Sequence, residues 1–254
     1  MDPIAEAQAV RSGATDGETI RALRMDAASQ TARVLAHELA NYLGAMRTML
    51  YVLADELSPD PKAREDLDVV ARTVDGATEF VEALRRFAHP PTLGRGPADL
   101  NAVLREAEPE LRALMPPGTT LHLDLAREPL TVPADAAPLR QMALDLVAGA
   151  NHTLPGGGRI EVETGRAPDL PDGSAAALLL VRDDGTGLEP GVAARIFEPF
   201  VFDSAHDTGL RLPTIYASVV RSGGTIAAQS APGAGTTIRV SLPLAPARRQ
   251  VAAR

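Results

Sequence analysis

Cysteine and tryptophan are both absent from this chain of 254 residues, and aromatic side chains make up only 3% of it. Without thiols there can be no disulfide, no cysteine nucleophile and no sulfur-ligated metal. With so few rings, the core must be built from Leu, Val and Ala. Positive charge is in deficit as well: 25 Lys and Arg face 33 Asp and Glu, for a formal charge of −8. That is the wrong sign for a general nucleic-acid binder. No run of roughly 18 apolar residues occurs, so no segment reads as a membrane-spanning helix. The N-terminal stretch "MDPIAEAQAVRSGATDGETIRALR" lacks the apolar centre of a signal peptide. The expected location is the cytoplasm, away from membrane and nucleic acid.

Hydrophobic residues reach 45%, enough for a packed core and too many for a disordered chain. They follow different periods in the two halves. From Leu39 they run Leu39, Leu43, Met46, Leu50, Leu53, Leu57, in alternating steps of four and three. This is a heptad seam, ended by the turn "SPDPK". A second seam runs Leu67, Val70, Val74, Ala77, Val81, Leu84, Ala88 and stops at "HPP". Two such helices joined by a short turn form an antiparallel hairpin. Each seam needs more than one neighbour, so a homodimer is expected in which two hairpins make a four-helix bundle.

The second half mixes periods. "DLNAVLREAEPELRALM" reads as a helix capped by Asp99, and "TTLHLDL" as a strand. "DAAPLRQMALDLVAGANHTL" reads as a helix stopped by "PGGG". "RIEVETG" and "AAALLLVRDDG" read as strands and "LRLPTIYASVVRSG" as a helix. "GTIAAQS" and "TTIRVSLPL" read as a closing hairpin. This pattern predicts an α/β sandwich with one face of the sheet covered by helices. The expected division is a flexible N-terminus over 1–18, a helical hairpin over 19–92, the α/β domain over 93–245 and a flexible tail over 246–254.

One short stretch of the first helix carries chemistry. In "VLAHELAN", a helix advancing about 100° per residue puts His37 and Asn41 each about 160° from the seam residue Leu39. They neighbour each other at i,i+4, with Glu38 alongside. Being off the seam, His37 is not a core histidine. A neutral imidazole can attack phosphorus, a carboxylate can hold its N–H, and an amide one turn away can position water. The remaining histidines lack metal-ligand spacing. His89 ends a helix, His122 lies on a strand and His206 in a loop, and no metal site is expected from them.

Together with the second half, these residues resemble the two-component histidine kinases from about residue 25 to 245. "AHELAN" is similar to their phosphoacceptor box, which implies His37 as the phosphorylated residue, Glu38 as its acidic helper and Asn41 as the residue that positions water. "RQMALDLVAGANHTLPGGGRIEVET" resembles the N box, "VRDDGTGL" the G1 box and "RIFEPFVF" the F box. "TGLRLPTIYASVVRSGG" resembles the G2 box. The resemblance implies an adenine contact from Asp183, with Gly185 and Gly187 letting backbone approach the base, and a phosphate-side contact at Gly209. It also implies a response-regulator receiver domain as partner, docking on the hairpin.

The chain departs from that pattern where charge would be handled. The two N-box asparagines are replaced by Asp145 and Gly149, and glycine offers no side-chain oxygen to Mg²⁺. Arg211 stands where the second G2 glycine belongs, and either blocks the phosphates or binds them. Asp203 and Asp207 add negative charge nearby. Only about two dozen residues precede the first helix, too few for an input domain. Three readings follow. The first is a histidine phosphotransferase, able also to dephosphorylate, with no cofactor. The second is an ATP- and Mg²⁺-dependent kinase acting on His37. The third is a non-catalytic scaffold.

Overall fold

The computed structural model describes residues 3–56, 61–201 and 208–245; within these, the side chains of residues 3–26, 56 and 61 are not described. The chain divides between His89 and Pro90 into two compact units. The first unit is a helical hairpin of α1, Pro3–Glu56, and α2, Pro61–Ala88. Helix α1 starts at Pro3, so residues 3–18, expected as a flexible lead-in, are helical. Proline is tolerated at a helix start, and the two internal glycines cost only about 1 kcal/mol each against Ala. Most of the "SPDPK" turn and the tail beyond Ala245 lie outside the described residues.

The hairpin divides the apolar residues of α1 between two faces. Ala32 and Ala36 are buried, and Ala40, Leu43 and Leu50 are half-buried. On α2, Val74, Val81 and Leu84 are buried, with Leu67, Ala71 and Ala77 half-buried. A second stripe on α1, formed by Leu35, Leu39, Tyr42, Met46, Met49 and Leu53, stays exposed, with Tyr42 and Met49 each at 65%. The single seam expected from sequence is therefore two: Leu43 and Leu50 lie on one, Leu39, Met46 and Leu53 on the other.

The second unit is an α/β sheet domain, as the mixed periods predict. Its elements are β1 (Pro97–Asp99), α3 (Leu100–Ala113), β2 (Thr119–Asp124), β3 (Thr131–Pro133), α4 (Ala136–Asn151), β4 (Gly158–Ala167), β5 (Ala176–Asp183), the single turn α5 (Pro190–Ala193), α6 (Arg211–Arg221), β6 (Thr225–Ser230) and β7 (Thr236–Pro243). Five strands form one sheet in the order β2-β4-β5-β7-β6, while β1 and β3 pair separately. Strands β2 and β4 are parallel, joined by the crossover that contains α4, and every other neighbouring pair is antiparallel.

Strand alternation sends Ile160, Val162, Leu179, Val181, Ile238, Val240 and Leu242 to the core face. Helix α3 meets them with Leu100, Leu104, Ala107 and Leu111, spaced at helical period on its buried side. Helix α4 contributes Leu139, Met142, Leu146 and Val147. Each fully buried Leu contributes roughly 1.5–3 kcal/mol. The opposite sheet face is polar, and His122 is exposed on it. Asp99 caps α3 as expected, accepting from the Asn101 backbone N–H at 3.2 Å. Among the described residues no helix is long and apolar enough to cross a membrane.

One buried amide ties the unit together. Asn101 is 1% exposed. Its Nδ2 donates to the carbonyls of Ala126 at 3.0 Å and Glu128 at 2.7 Å, and its Oδ1 accepts from Thr164 Oγ1 at 2.5 Å. Truncation would strand two carbonyls and a hydroxyl. Asn101→Ala is expected to lower stability by roughly 3 kcal/mol, read as a fall in the urea midpoint with an unchanged slope.

Candidate functional site

The phosphoacceptor-like residues lie in the hairpin. His37, Glu38 and Asn41 are all exposed on α1. Taking buried Ala36 as reference, His37 lies about 100° around the helix to one side, and the exposed apolar stripe about 100° to the other. Covering that stripe therefore leaves the imidazole open. None of the three side chains is hydrogen-bonded to another described residue. Farther along, a groove is lined by Arg47, Leu50, Tyr51 and Ala54 of α1 and by Leu67, Ala71 and Val74 of α2. It starts about 15 Å along the axis from His37, at 1.5 Å per residue.

The box residues of the second half converge on a narrow cavity of about 70 Å³ in the sheet domain. Its apolar wall includes Leu146, Ala150, Val181, Leu188 and Ile238, and its polar groups include Asp183, Thr153, His152 and Arg211. Asp183 ends β5 and is 3% exposed. Its Oδ1 accepts from Thr153 Oγ1 at 2.8 Å, from the Gly185 N–H at 2.9 Å and from the Thr236 N–H at 3.2 Å. Burial pushes its pKa above the usual carboxylate range, against the pull of those hydrogen bonds.

The glycines owe their places first to the protein's own backbone. A Cβ on Gly185 would strike the Thr153 carbonyl oxygen, and one on Gly187, at φ +66°, would strike that of Ala231. Gly235, which no motif singled out, has φ +72°, and its Cβ would strike the Asp183 carbonyl. Gly209, at φ +64°, lies against Phe200: a Cβ would come to 2.9 Å from the Phe200 Cα. Phe200 itself has φ +64°, strained for a bulky residue, and its N–H donates to the Gly209 carbonyl at 2.9 Å. Tight packing against the neighbouring turns thus accounts for glycine at 185 and 187.

At the far end the two eroded boxes meet. Arg211 is the first residue of α6, and its Nη1 lies 3.4 Å from His152 Nδ1. The same Nη1 is 4.0 Å from where a Cβ on Gly149 would sit. Asp145 accepts from Gln141 Nε2 at 3.0 Å and does not line the cavity. Asn151 is turned away, its Nδ2 donating to the Leu114 carbonyl at 2.8 Å. His152, the C-cap of α4, lines the cavity, a place the sequence did not signal. Thr153 and Thr236 were also missed, because a hydroxyl and a backbone N–H carry no pattern. Asp203, His206 and Asp207 lie outside the described residues. Among the described residues no cluster of three His, Cys, Asp or Glu could hold a metal. Tested against Mg-ATP, the adenine end fits, with a buried carboxylate closing an apolar slot. The metal end does not fit among the described residues: Gly149 has no side-chain oxygen to offer, and the group beside it is the Arg211 guanidinium.

The cost of ionising Asp183 in a buried place is present above its raised folded-state pKa and absent below the ordinary value of 3.8. Asp183→Asn keeps an oxygen for the three donors and removes the charge. The variant is expected to match or exceed the parent in stability at pH 8. Its advantage should shrink as the pH falls toward the carboxylate range, as followed by urea midpoints across pH.

Residues 134–246 match the family described as histidine kinase-, DNA gyrase B-, and HSP90-like ATPase. The sensor kinase CckA of Brucella abortus is 28% identical over 94% of this chain and 27% of its own length. The sensory histidine kinase/phosphatase NtrB of Rhodobacter capsulatus is 32% identical over 85% of this chain and 62% of its own length. The chain thus spans between about a quarter and three-fifths of these two relatives. Among solved structures, full-length ShkA in complex with AMPPNP superposes with a TM-score of 0.60 at 25% identity, over 86% of this chain and 46% of that one. The mycobacterial sensor histidine kinase MprB gives 0.51 at 25% identity, over 60% of this chain and 99% of that one. A helical hairpin followed by this sheet domain, with sensor kinases as relatives along most of its length, makes the chain a member of the two-component histidine kinase family.

Proposed function

We propose that the protein is a dimeric histidine phosphotransferase of two-component signalling, with His37 as carrier. The observation that carries this reading is Arg211 lying beside Gly149 where the family pattern implies a metal ligand, while His37, Glu38 and Asn41 stand intact and exposed. Phosphoryl transfer relies on positioning and on neutralising charge, so loss of the metal end weighs against ATP as donor. Transfer between a histidine and an aspartate needs no nucleotide.

In the forward step a neutral His37 nitrogen attacks the phosphorus of a receiver aspartyl phosphate. The N–P bond forms, the P–O bond to the aspartate breaks, and the carboxylate leaves with that electron pair. Glu38 takes the hydrogen bond of the other ring N–H and stabilises the positive imidazole. A second receiver aspartate reverses the step. Asn41, one turn away, positions water for hydrolysis; the relative NtrB is named both kinase and phosphatase. The groove lined by Leu50, Tyr51, Leu67 and Val74 is a fitting seat for the receiver.

Dimerisation follows from the exposed stripe. Six apolar side chains at heptad spacing on one helix face need a partner, and a second copy supplies the same stripe. The alternative, autophosphorylation from Mg-ATP, rests on the buried Asp183.

Incubation with a phosphorylated receiver domain is expected to place label on the protein, and His37→Ala to remove it entirely. Label that survives in His37→Ala would sink the proposal, and label on His37 from Mg-ATP alone would promote the kinase reading. Asn41→Ala is expected to keep transfer and slow phosphate release roughly a hundredfold. Leu39→Glu combined with Met46→Glu is expected to halve the mass seen by light scattering, with the sheet domain still folded by circular dichroism.

A further inference from the structure

The mismatch between the two ends of the cavity carries an inference that stands whether or not His37 carries phosphate. We infer that the sheet domain binds an adenine nucleotide without Mg²⁺, with the Arg211 guanidinium taking the place of the metal.

Four observations converge on it. At one end Asp183 is buried, and all three of its described hydrogen bonds fall on Oδ1. Its Oδ2 is left for a donor inside the cavity, and an exocyclic amine on a heterocycle offers one. Between the ends, Leu146, Ala150, Val181, Leu188 and Ile238 make a narrow apolar slot, which favours a flat ring over a bulky group. At the other end Arg211 brings a fixed positive charge on the first residue of an eleven-residue helix, and Gly149 across from it leaves its guanidinium room. Lastly, Gly149 has no side-chain oxygen for Mg²⁺, and Asp145 does not line the cavity. A carboxylate, an apolar slot and a guanidinium in series match an amino-heterocycle with an anionic tail.

Guanidinium suits this replacement. It stays charged at any working pH and pairs with two phosphate oxygens at once. His152, with Nδ1 3.4 Å from Nη1, holds the guanidinium on the cavity side when its ring is neutral. Magnesium already bound to a nucleotide competes with Arg211 for the same oxygens. Added Mg²⁺ should therefore weaken binding or leave it unchanged.

The test is calorimetric titration of the full chain with AMP, ADP and ATP, each in EDTA and in excess Mg²⁺. ADP and ATP are expected to bind in EDTA at least as tightly as with Mg²⁺. Arg211→Gly should weaken the EDTA binding roughly tenfold to a hundredfold, the size of a lost charge-assisted pair, and Arg211→Lys should lose less. The double variant Gly149→Asn/Arg211→Gly should make binding depend on Mg²⁺. Thermal melts establish that each variant is folded. Binding that requires Mg²⁺ in the parent protein overturns the inference. So does failure of all three nucleotides to bind at millimolar concentration, or a folded Arg211→Gly that binds like the parent in EDTA. The receiver transfer assay contains no nucleotide, so the two sets of results stand apart.

Discussion

The sheet domain hangs on one buried oxygen. Asp183 Oδ1 draws together the segment after α4 through Thr153, the turn after β5 through Gly185 and the start of β7 through Thr236. Three pieces of chain far apart in sequence meet at one acceptor, and they meet closely. That closeness is why Gly185, Gly187 and Gly235 have no side chain to spare. The carboxylate is both a structural clamp and the closed end of the cavity, so what shapes the slot is also what holds the turns around it.

The hairpin has a simpler economy. Its residues do three jobs around one helix circumference. One side of α1 packs in the hairpin, a second presents unpaired Leu, Met and Tyr, and a third presents His37 and Asn41. The helical period of 3.6 keeps these sides separate along many turns. The two buried residues of α1 among those described are small, Ala32 and Ala36, just before the histidine.

Much of this was legible in the sequence, and the failures have physical causes. The hairpin and the larger strands declared themselves because apolar period is a property of neighbours in the chain. Leu39 and Leu43 looked like one seam because heptad spacing does not say which of two adjacent faces a helix turns inward. Strands β1 and β3, three residues each, are too short to show a period. Asn101 looked like an ordinary early-helix residue. Its partners at Ala126, Glu128 and Thr164 lie 25, 27 and 63 residues away, beyond any local signal. At the cavity, the loss of the N-box oxygen and the arrival of Arg211 were both readable. That these two changes occupy the same place was not, since Gly149 and Arg211 sit on different helices.

The pinch at Phe200 and Gly209 has a consequence for how this domain can change. One hydrogen bond, at 2.9 Å, closes the chain on itself there, so the residues between begin and end at nearly one point. Lengthening such a tethered segment costs little, about 0.6 kcal/mol per doubling of its length. A change of chain length between the two residues is therefore compatible with keeping this closure. What the closure does require is the left-handed glycine at 209, whose added Cβ would press on the Phe200 backbone.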